Sequence, residues 1–330
     1  MNVQKLETLP PPPGVFGSLR AGFDIVSSHV VLILVPLALD VLLWLGPRLD
    51  VGGLLNPFFK FMFQLALRNI PASDVSQYVE MQNSILDMLQ KFNLFSLLTK
   101  IRVFPIGISS LSAQVLPVET PLGTQSVVQV SSLPGFLGLS FLLVLIGWIG
   151  GGLYYRIVSG TGLSGNGAGI SSMRAVVQTL LLSAIWGVCV IVLFVPLMIV
   201  LSLFSMISPL LASGLFMLFI FLLAVPFFFT PHGIFVRNQN ALFSMFTSFR
   251  MARFTLPTSG MFVLSVFLLH QGLNELWKVP SQNSWLMLVG LAGHAFITTA
   301  LLSASFVYYR EMNDWLQNVY ERIQQAGQSK

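Results

Sequence analysis

Charge is what this sequence has least of. Asp, Glu, Lys and Arg make up 9% of the 330 residues and hydrophobic residues 55%, whereas a soluble domain carries about 25% charged residues. That shortfall excludes an ordinary soluble domain and places the chain among membrane proteins. Cysteine is almost missing as well. Cys189 stands alone inside an apolar run, so an intrachain disulfide framework is excluded. A lone buried thiol acts as a small hydrophobe. Clusters of basic residues are also missing. The Lys and Arg residues are scattered singly, so the net charge of +5 points to anionic headgroups of a lipid bilayer and to no nucleic acid. The N-terminus lacks the pattern of a cleaved signal.

What the chain does have is long apolar runs. A spanning helix needs about 20 mostly apolar residues, and six segments meet or approach that length. They are residues 25–46, 135–155, 173–203, 210–229, 257–277 and 285–309. Pro196 and Pro226 should kink the third and fourth. Trp277 and Trp285 flank the last turn, where interfacial aromatics are expected. The fold class expected is an all-α integral membrane protein: a bundle of about six transmembrane helices with interfacial amphipathic helices. A single polytopic domain, 16–330, should follow a disordered tail, 1–15. Ten Lys and Arg fall on one side if both termini are cytoplasmic, and only Lys278 falls in the short turns opposite. The positive-inside rule then gives a multi-pass protein of the cell inner membrane.

Residues 47–134 form a long outer-face segment. In it, Asn56, Lys60, Gln64 and Arg68 recur every four residues and draw one polar stripe on an apolar helix too short to span. Such a helix lies in the interface with its cations near headgroups. A second helix is expected after Ser73, with Tyr78, Ile85, Leu89 and Phe92 on its apolar face. An irregular stretch follows, then two β-leaning runs around Pro121-Leu122-Gly123 that could form a small outer β-hairpin. Interfacial helices are also expected on the inner side. One carries Leu19, Phe23 and Val26. Another carries Ala241, Leu242, Met245, Phe246 and Phe249 beside Arg250 and Arg253. A cytoplasmic helix, 310–330, carries Trp315, Leu316, Val319 and Ile323.

Few motifs carry chemistry. "GTGLSG", from Gly160, matches a dinucleotide pattern, but a membrane helix precedes it and no acid follows at about 20 residues. It reads as a Gly-rich inner loop, 156–172. Gly147 and Gly151 have the G-x-x-x-G spacing that lets backbones approach closely, within the chain or in a homodimer seam. Asp40 is the one polar residue in "VLILVPLALDVLLWLG". A charge at the bilayer centre costs about 2.5–3.5 kcal/mol on insertion scales. Asp40 lies about 9 Å in from Gly46 at about 1.5 Å per residue, in the outer half. His270, Glu275 and His294 fall at related depths and could join it in one polar layer. That layer admits a proton relay, an ion path or a structural pairing that locks the bundle. His and carboxylates suit zinc, but His270 and Glu275 are five apart and do not share a helical face, so no metal and no cofactor is expected. His29 and His232 read as interfacial.

The second half follows a recognisable order. A span ends in "FFFTPHGIF", an interfacial helix "NALFSMFTSFRMARF" follows, then the spans "SGMFVLSVFLL" and "GHAFITTALLSASFVYYRE". Through Ala241, Leu242, Ser244, Tyr308, Tyr309 and Arg310, this third of the chain resembles the bacterial polytopic proteins related to the membrane domain that accompanies some glycerophosphodiester phosphodiesterases. The resemblance implies a helical bundle of about six spans. It does not imply phosphodiesterase activity, because a catalytic barrel takes about 250 residues of its own. The leading functional expectation is a non-enzymatic scaffold or accessory subunit with a membrane-protein partner. The alternatives are a transporter or permease-like protein using the Asp40 layer and, third, an intramembrane enzyme.

Overall fold

The structure is a computed structural model that describes residues 11–68, 70–101, 104–162 and 169–328. Most of the expected tail and the centre of the Gly-rich loop lie outside the described residues. Among the described residues, five helices are long and apolar enough to cross a membrane, and a pair bent by 94° passes the same test only when its two helices are taken as one span. The chain is an all-α, multi-pass membrane protein. Its helices are α1 (Val15–Ser28), α2 (Leu34–Leu45), α3 (Gly52–Leu67), α4 (Val75–Lys91), α5 (Ser112–Val115), α6 (Leu133–Gly162), α7 (Ser172–Ile207), α8 (Pro209–Phe229), α9 (His232–Arg237), α10 (Ala241–Trp277) and α11 (Met287–Gln328). The bundle has a tryptophan end, near Trp277 and Trp285, and an arginine end, near Arg156 and Arg310.

The first span departs from the unbroken helix 25–46. α1 stops at Ser28, and the chain turns 94° before running from Val30 to Leu45. Continuing one helix through here would lose the bond that Pro36 cannot donate to Leu32 and would drive its ring into that carbonyl. The break falls at His29, whose backbone N–H and Nδ1 both contact the Ile25 carbonyl, at 3.0 and 3.1 Å. α1 then lies across α11. Its expected lipid-facing residues are turned into protein instead, since Leu19 and Val26 are buried. Gly22 makes the crossing: a Cβ there would sit 2.5 Å from the Ala304 Cβ.

Two pairs of expected elements fuse. The interfacial helix after Asn240 and the fifth span form the single 37-residue α10, kinked at Thr255 (φ −125°, ψ 18°). Pro257 supplies the cause, because it removes an N–H and restricts the residues before it. The sixth span and the C-terminal helix form the single 42-residue α11. α7 has 36 residues and spans about 54 Å, more than the roughly 30 Å of a hydrocarbon core. It pairs with α8 across Ser208, whose hydroxyl caps α8 by accepting from the Leu211 N–H. At the tryptophan end, α3 and α4 form a hairpin joined by the Tyr78 hydroxyl donating to the Phe63 carbonyl. The expected β-hairpin is present, pairing Glu119 with Thr124 and Thr120 with Gly123, and Gly123 takes φ +102°. A parallel pairing of residues 48–50 with 127–129 closes the rest of this segment on itself.

Part of the segment expected at the outer face runs along the inside of the bundle. After the turn Leu94–Leu98 the described residues 99–101 and 104–111 are non-helical. It lies against the middle of α6. A Cβ on Gly147 would lie 2.9 Å from the Leu97 and Leu98 carbonyls, and one on Gly151 would lie 2.9 Å from the Gly107 Cα. Beyond them, Tyr155 donates its hydroxyl to the Pro105 carbonyl at 3.3 Å, Phe104 packs on Trp148, and Ile106 is fully buried. The G-x-x-x-G pair therefore receives a strand of irregular backbone and not a second helix. Gly151→Val should lower the unfolding free energy of the detergent-solubilised protein by about 1–3 kcal/mol, the usual cost of overpacking. Gly138→Val, on the same helix with nothing within 4 Å, should change it by less than about 0.5 kcal/mol. Equal thermal or denaturant stability of the two variants would refute this account of the glycines.

Candidate functional site: a buried carboxylate–imidazole cluster

Asp40 is fully buried on α2. The non-helical segment turns back toward the tryptophan end at this level. Asp40 Oδ1 accepts the Ser110 hydroxyl at 2.5 Å and the Ser112 backbone N–H at 2.8 Å. The Ser112 hydroxyl in turn donates to the Asp40 carbonyl at 2.9 Å, and Ser110 Oγ accepts the Ala113 N–H. Both donors therefore fall on one oxygen, which acts as an acceptor in each contact. Among the described residues the other oxygen, Oδ2, has no hydrogen bond, and it faces His294 Nδ1 at 3.7 Å.

His294 is 1% exposed, and among the described residues neither ring nitrogen has a hydrogen-bond partner. Its ring lies 6.1 Å from that of His270. The structure therefore brings Asp40, His294 and His270 together. Glu275 is elsewhere: it is exposed and pairs with Lys278 at 2.7 Å. Its neighbour Asn274 takes the inward position, donating to Gln114 Oε1 at 2.7 Å, and Gln114 donates on to the Ser110 carbonyl. Ser110, Ser112, Gln114 and Asn274 complete the cluster. Spacing gave no signal for the first three, which reach Asp40 only through the fold. Among the described residues, no three His, Cys, Asp or Glu stand close enough to hold a metal ion.

Above this cluster, at the tryptophan end, lies an open cavity of about 500 Å³ lined by Lys91, Leu116, Glu119, Lys278, Gln282 and Asn283. Below it, α11 turns a row of buried polar side chains inward: Thr299, Ser303 and Ser305. The Thr299 hydroxyl meets the Tyr154 hydroxyl at 2.8 Å. Ser303 Oγ has no hydrogen-bond partner among the described residues. Ser305 Oγ lies 2.7 Å from His232 Nε2. His232 is 2% exposed and packed among Phe228, Phe229, Phe306 and Tyr309. Its expected interfacial placement is corrected, because α9 folds back under the bundle. His29, by contrast, is exposed.

The basic residues expected at the interface are on the surface. Lys60 and Arg68 are exposed on the α3–α4 hairpin. Arg250 lies over the Tyr320 ring, 5.2 Å from its centroid, and Arg253 is exposed beside Phe254. No protein-family model, curated protein or solved structure matches this chain.

Asp40→Ala should expose the segment. It leaves the Ser110 hydroxyl and the Ser112 N–H unpaired, at about 1–3 kcal/mol for each buried group. Hydrogen exchange should rise across 108–116 in Asp40→Ala and stay near wild type in Asp40→Asn, which keeps an acceptor oxygen. Unchanged protection in the alanine variant would show that Asp40 does not hold the segment.

Proposed function

We propose that the chain is a permease-like transport protein of a cell inner membrane, with both termini in the cytoplasm. The observation that carries this reading is non-helical backbone beside the middle of a spanning helix, next to a buried carboxylate–imidazole pair. Such backbone is tolerated at membrane depth only where protein buries it or it lines a water-filled cavity. Ionisable groups there mark solute or proton paths. A broken first span beside the site belongs to the same pattern, since transporter sites are commonly built on discontinuous helices. The path would lead from the 500 Å³ cavity past Gln114 and Asn274 to Asp40 and His294, then along Thr299 and Ser303. Proton uptake by His294 would turn its contact with Asp40 into an ion pair, and proton release would leave the carboxylate held by Ser110 and Ser112 alone. The orientation rests on Arg156, Arg174, Arg237, Arg250, Arg253 and Arg310 gathering at one end, in line with the positive-inside rule.

The accessory-subunit reading stands second, and one observation favours it. Val192, Ile199 and Met206 on α7 and Leu210 and Met217 on α8 are exposed along an outlying helix pair. Lipid would cover that surface equally well.

Transport is tested in sealed proteoliposomes with a pH dye inside and a panel of small charged and neutral solutes outside. Wild type should show a solute-dependent proton flux, and Asp40→Asn should reduce it at least about tenfold while remaining folded. If no solute drives flux above empty vesicles, the permease reading fails. A stoichiometric protein partner retained in native mass spectrometry after mild detergent would then favour the second.

A further inference from the structure

A permease reading leaves open what enters the cavity at the tryptophan end, and the amides beside that cavity bear on it. Two stretches of chain form most of the wall, residues 115–119 and 278–283. Gln114 directly precedes the first, and Asn274 lies one helical turn before the second. Their side chains are joined, with Asn274 Nδ2 donating to Gln114 Oε1 at 2.7 Å.

The orientation of each amide is settled by its partners. Gln114 Nε2 donates to the Ser110 carbonyl at 3.1 Å, an atom that only accepts. Gln114 Oε1 is therefore the end that meets Asn274, and it takes the Asn274 N–H. Asn274 Oδ1 is left over, in a residue 2% exposed, with no hydrogen-bond partner among the described residues. Gln125 repeats the pattern. Its Nε2 donates to the carbonyls of Leu43 and Trp44 at 2.9 and 2.7 Å, and its Oε1 is buried without a partner among the described residues. Trp44 in turn donates its indole N–H to the carbonyl of the lining residue Gln282 at 2.8 Å. Beyond Ser110, Asp40 Oδ2 is a third spare oxygen. Trp277 Nε1 is a spare donor nearby, but its ring is packed on α11, where a Cβ on Gly293 would lie 2.5 Å from it. A buried oxygen without a donor is costly. A ligand that relieves these oxygens brings N–H groups and not lone pairs.

The cavity wall gives the sign of the ligand's charge. Lys91 and Lys278 line it, but each is already paired, Lys91 with Asp87 and Lys278 with Glu275, both at 2.7 Å. Glu119 lines it as well and makes no ion pair among the described residues. The two cations are thus outnumbered by three carboxylates, Asp87, Glu275 and Glu119.

We propose that this cavity binds a small organic cation through a primary ammonium, with Glu119 as its counter-charge and Asn274 Oδ1 as its acceptor. An ammonium has three donors and no acceptor, the complement of the spare oxygens. A volume of about 500 Å³ falls in the range of small-molecule sites. That the same amine is carried across the membrane rests on the permease reading, whereas its binding does not.

The test is equilibrium dialysis of the full-length, detergent-solubilised protein against radiolabelled n-butylammonium. Unlabelled tetramethylammonium, butyrate and n-butanol serve as competitors. Wild type should bind n-butylammonium saturably, and butyrate and n-butanol should not displace it. Tetramethylammonium, which carries the charge without N–H donors, should compete poorly. Asn274→Ala should weaken binding about tenfold, the worth of one hydrogen bond to a charged group. Glu119→Gln should weaken it only about threefold, because Glu119 is exposed and its charge is screened. Lys278→Gln should strengthen it, because Glu275 is then released to the ligand, and a gain of affinity does not arise from misfolding. Absence of saturable binding would overturn the site. So would displacement by butyrate together with weaker binding in Lys278→Gln, since the lysines would then be the counter-charge. Tetramethylammonium competing as well as unlabelled n-butylammonium would refute the role of the amide oxygen. Flux of another solute without amine binding leaves the permease reading intact, and amine binding without flux leaves only the site.

Discussion

In hydrocarbon, every backbone N–H and C=O must find a partner inside the protein, and the described residues of 99–111 meet that demand partly among themselves and partly from outside. Within the stretch, Lys100 pairs with Ile108 and Phe104 with Ile101. Surrounding helices supply further partners. Tyr155 gives a hydroxyl to the Pro105 carbonyl, and Asp40 supplies acceptors to Ser110 and Ser112. Gly147, Gly151 and Gly152 clear the space: the first two admit the segment, and Gly152 admits Thr179 of α7. The presence of a carboxylate in an apolar span follows from this. The incoming Ser112 N–H and Ser110 hydroxyl meet one side-chain oxygen, Asp40 Oδ1, and the Ser112 hydroxyl is a second donor to the mid-helix Asp40 carbonyl. A carboxylate brings lone pairs that no helix ladder already uses, which is what a segment with free donors needs from α2.

Much of this architecture was legible in the sequence. Hydropathy located the five long apolar helices because a lipid-facing helix must be apolar around its circumference; the run 25–46 instead breaks at His29. Pro121-Leu122-Gly123 marked the hairpin because its turn needs a positive φ. Other features depend on contacts between distant residues and leave no local trace. Residues 94–111 are mostly apolar or small, with two cations, Lys100 and Arg102, and the turn formers Pro105 and Gly107, a composition shared by a loose outer loop and by a segment packed between helices. What distinguishes them is the fit of Gly107 to Gly151, 44 positions away. Depth along a span was readable, but the face a residue turned was less so. Glu275 has the right depth and points outward, and its neighbour Asn274 points inward. His232 follows the end of an apolar run, where an interface is the natural reading, and only the reversal of the chain through α9 buries it.

The segment and its carboxylate support one another through backbone chemistry. Every residue except proline brings an N–H donor. An irregular segment whose N–H groups are not used in a ladder can therefore surround an anion with neutral donors, as the Ser112 N–H and the Ser110 hydroxyl do for Asp40 Oδ1. The second oxygen faces His294 on α11. Asp40 is thus bonded on the side turned to the segment and unbonded on the side turned to α11, and both it and His294 are sealed from the surface. The cavity at the tryptophan end is lined by residues 115–119 and 278–283, the chain on either side of Gln114 and Asn274, so the hydrogen bond between those two amides stands between the open cavity and the buried pair. A buried polar chain of this kind is costly unless its members are satisfied, and among the described residues its unbonded groups include Asp40 Oδ2 and the His294 ring nitrogens, which face each other across the two helices.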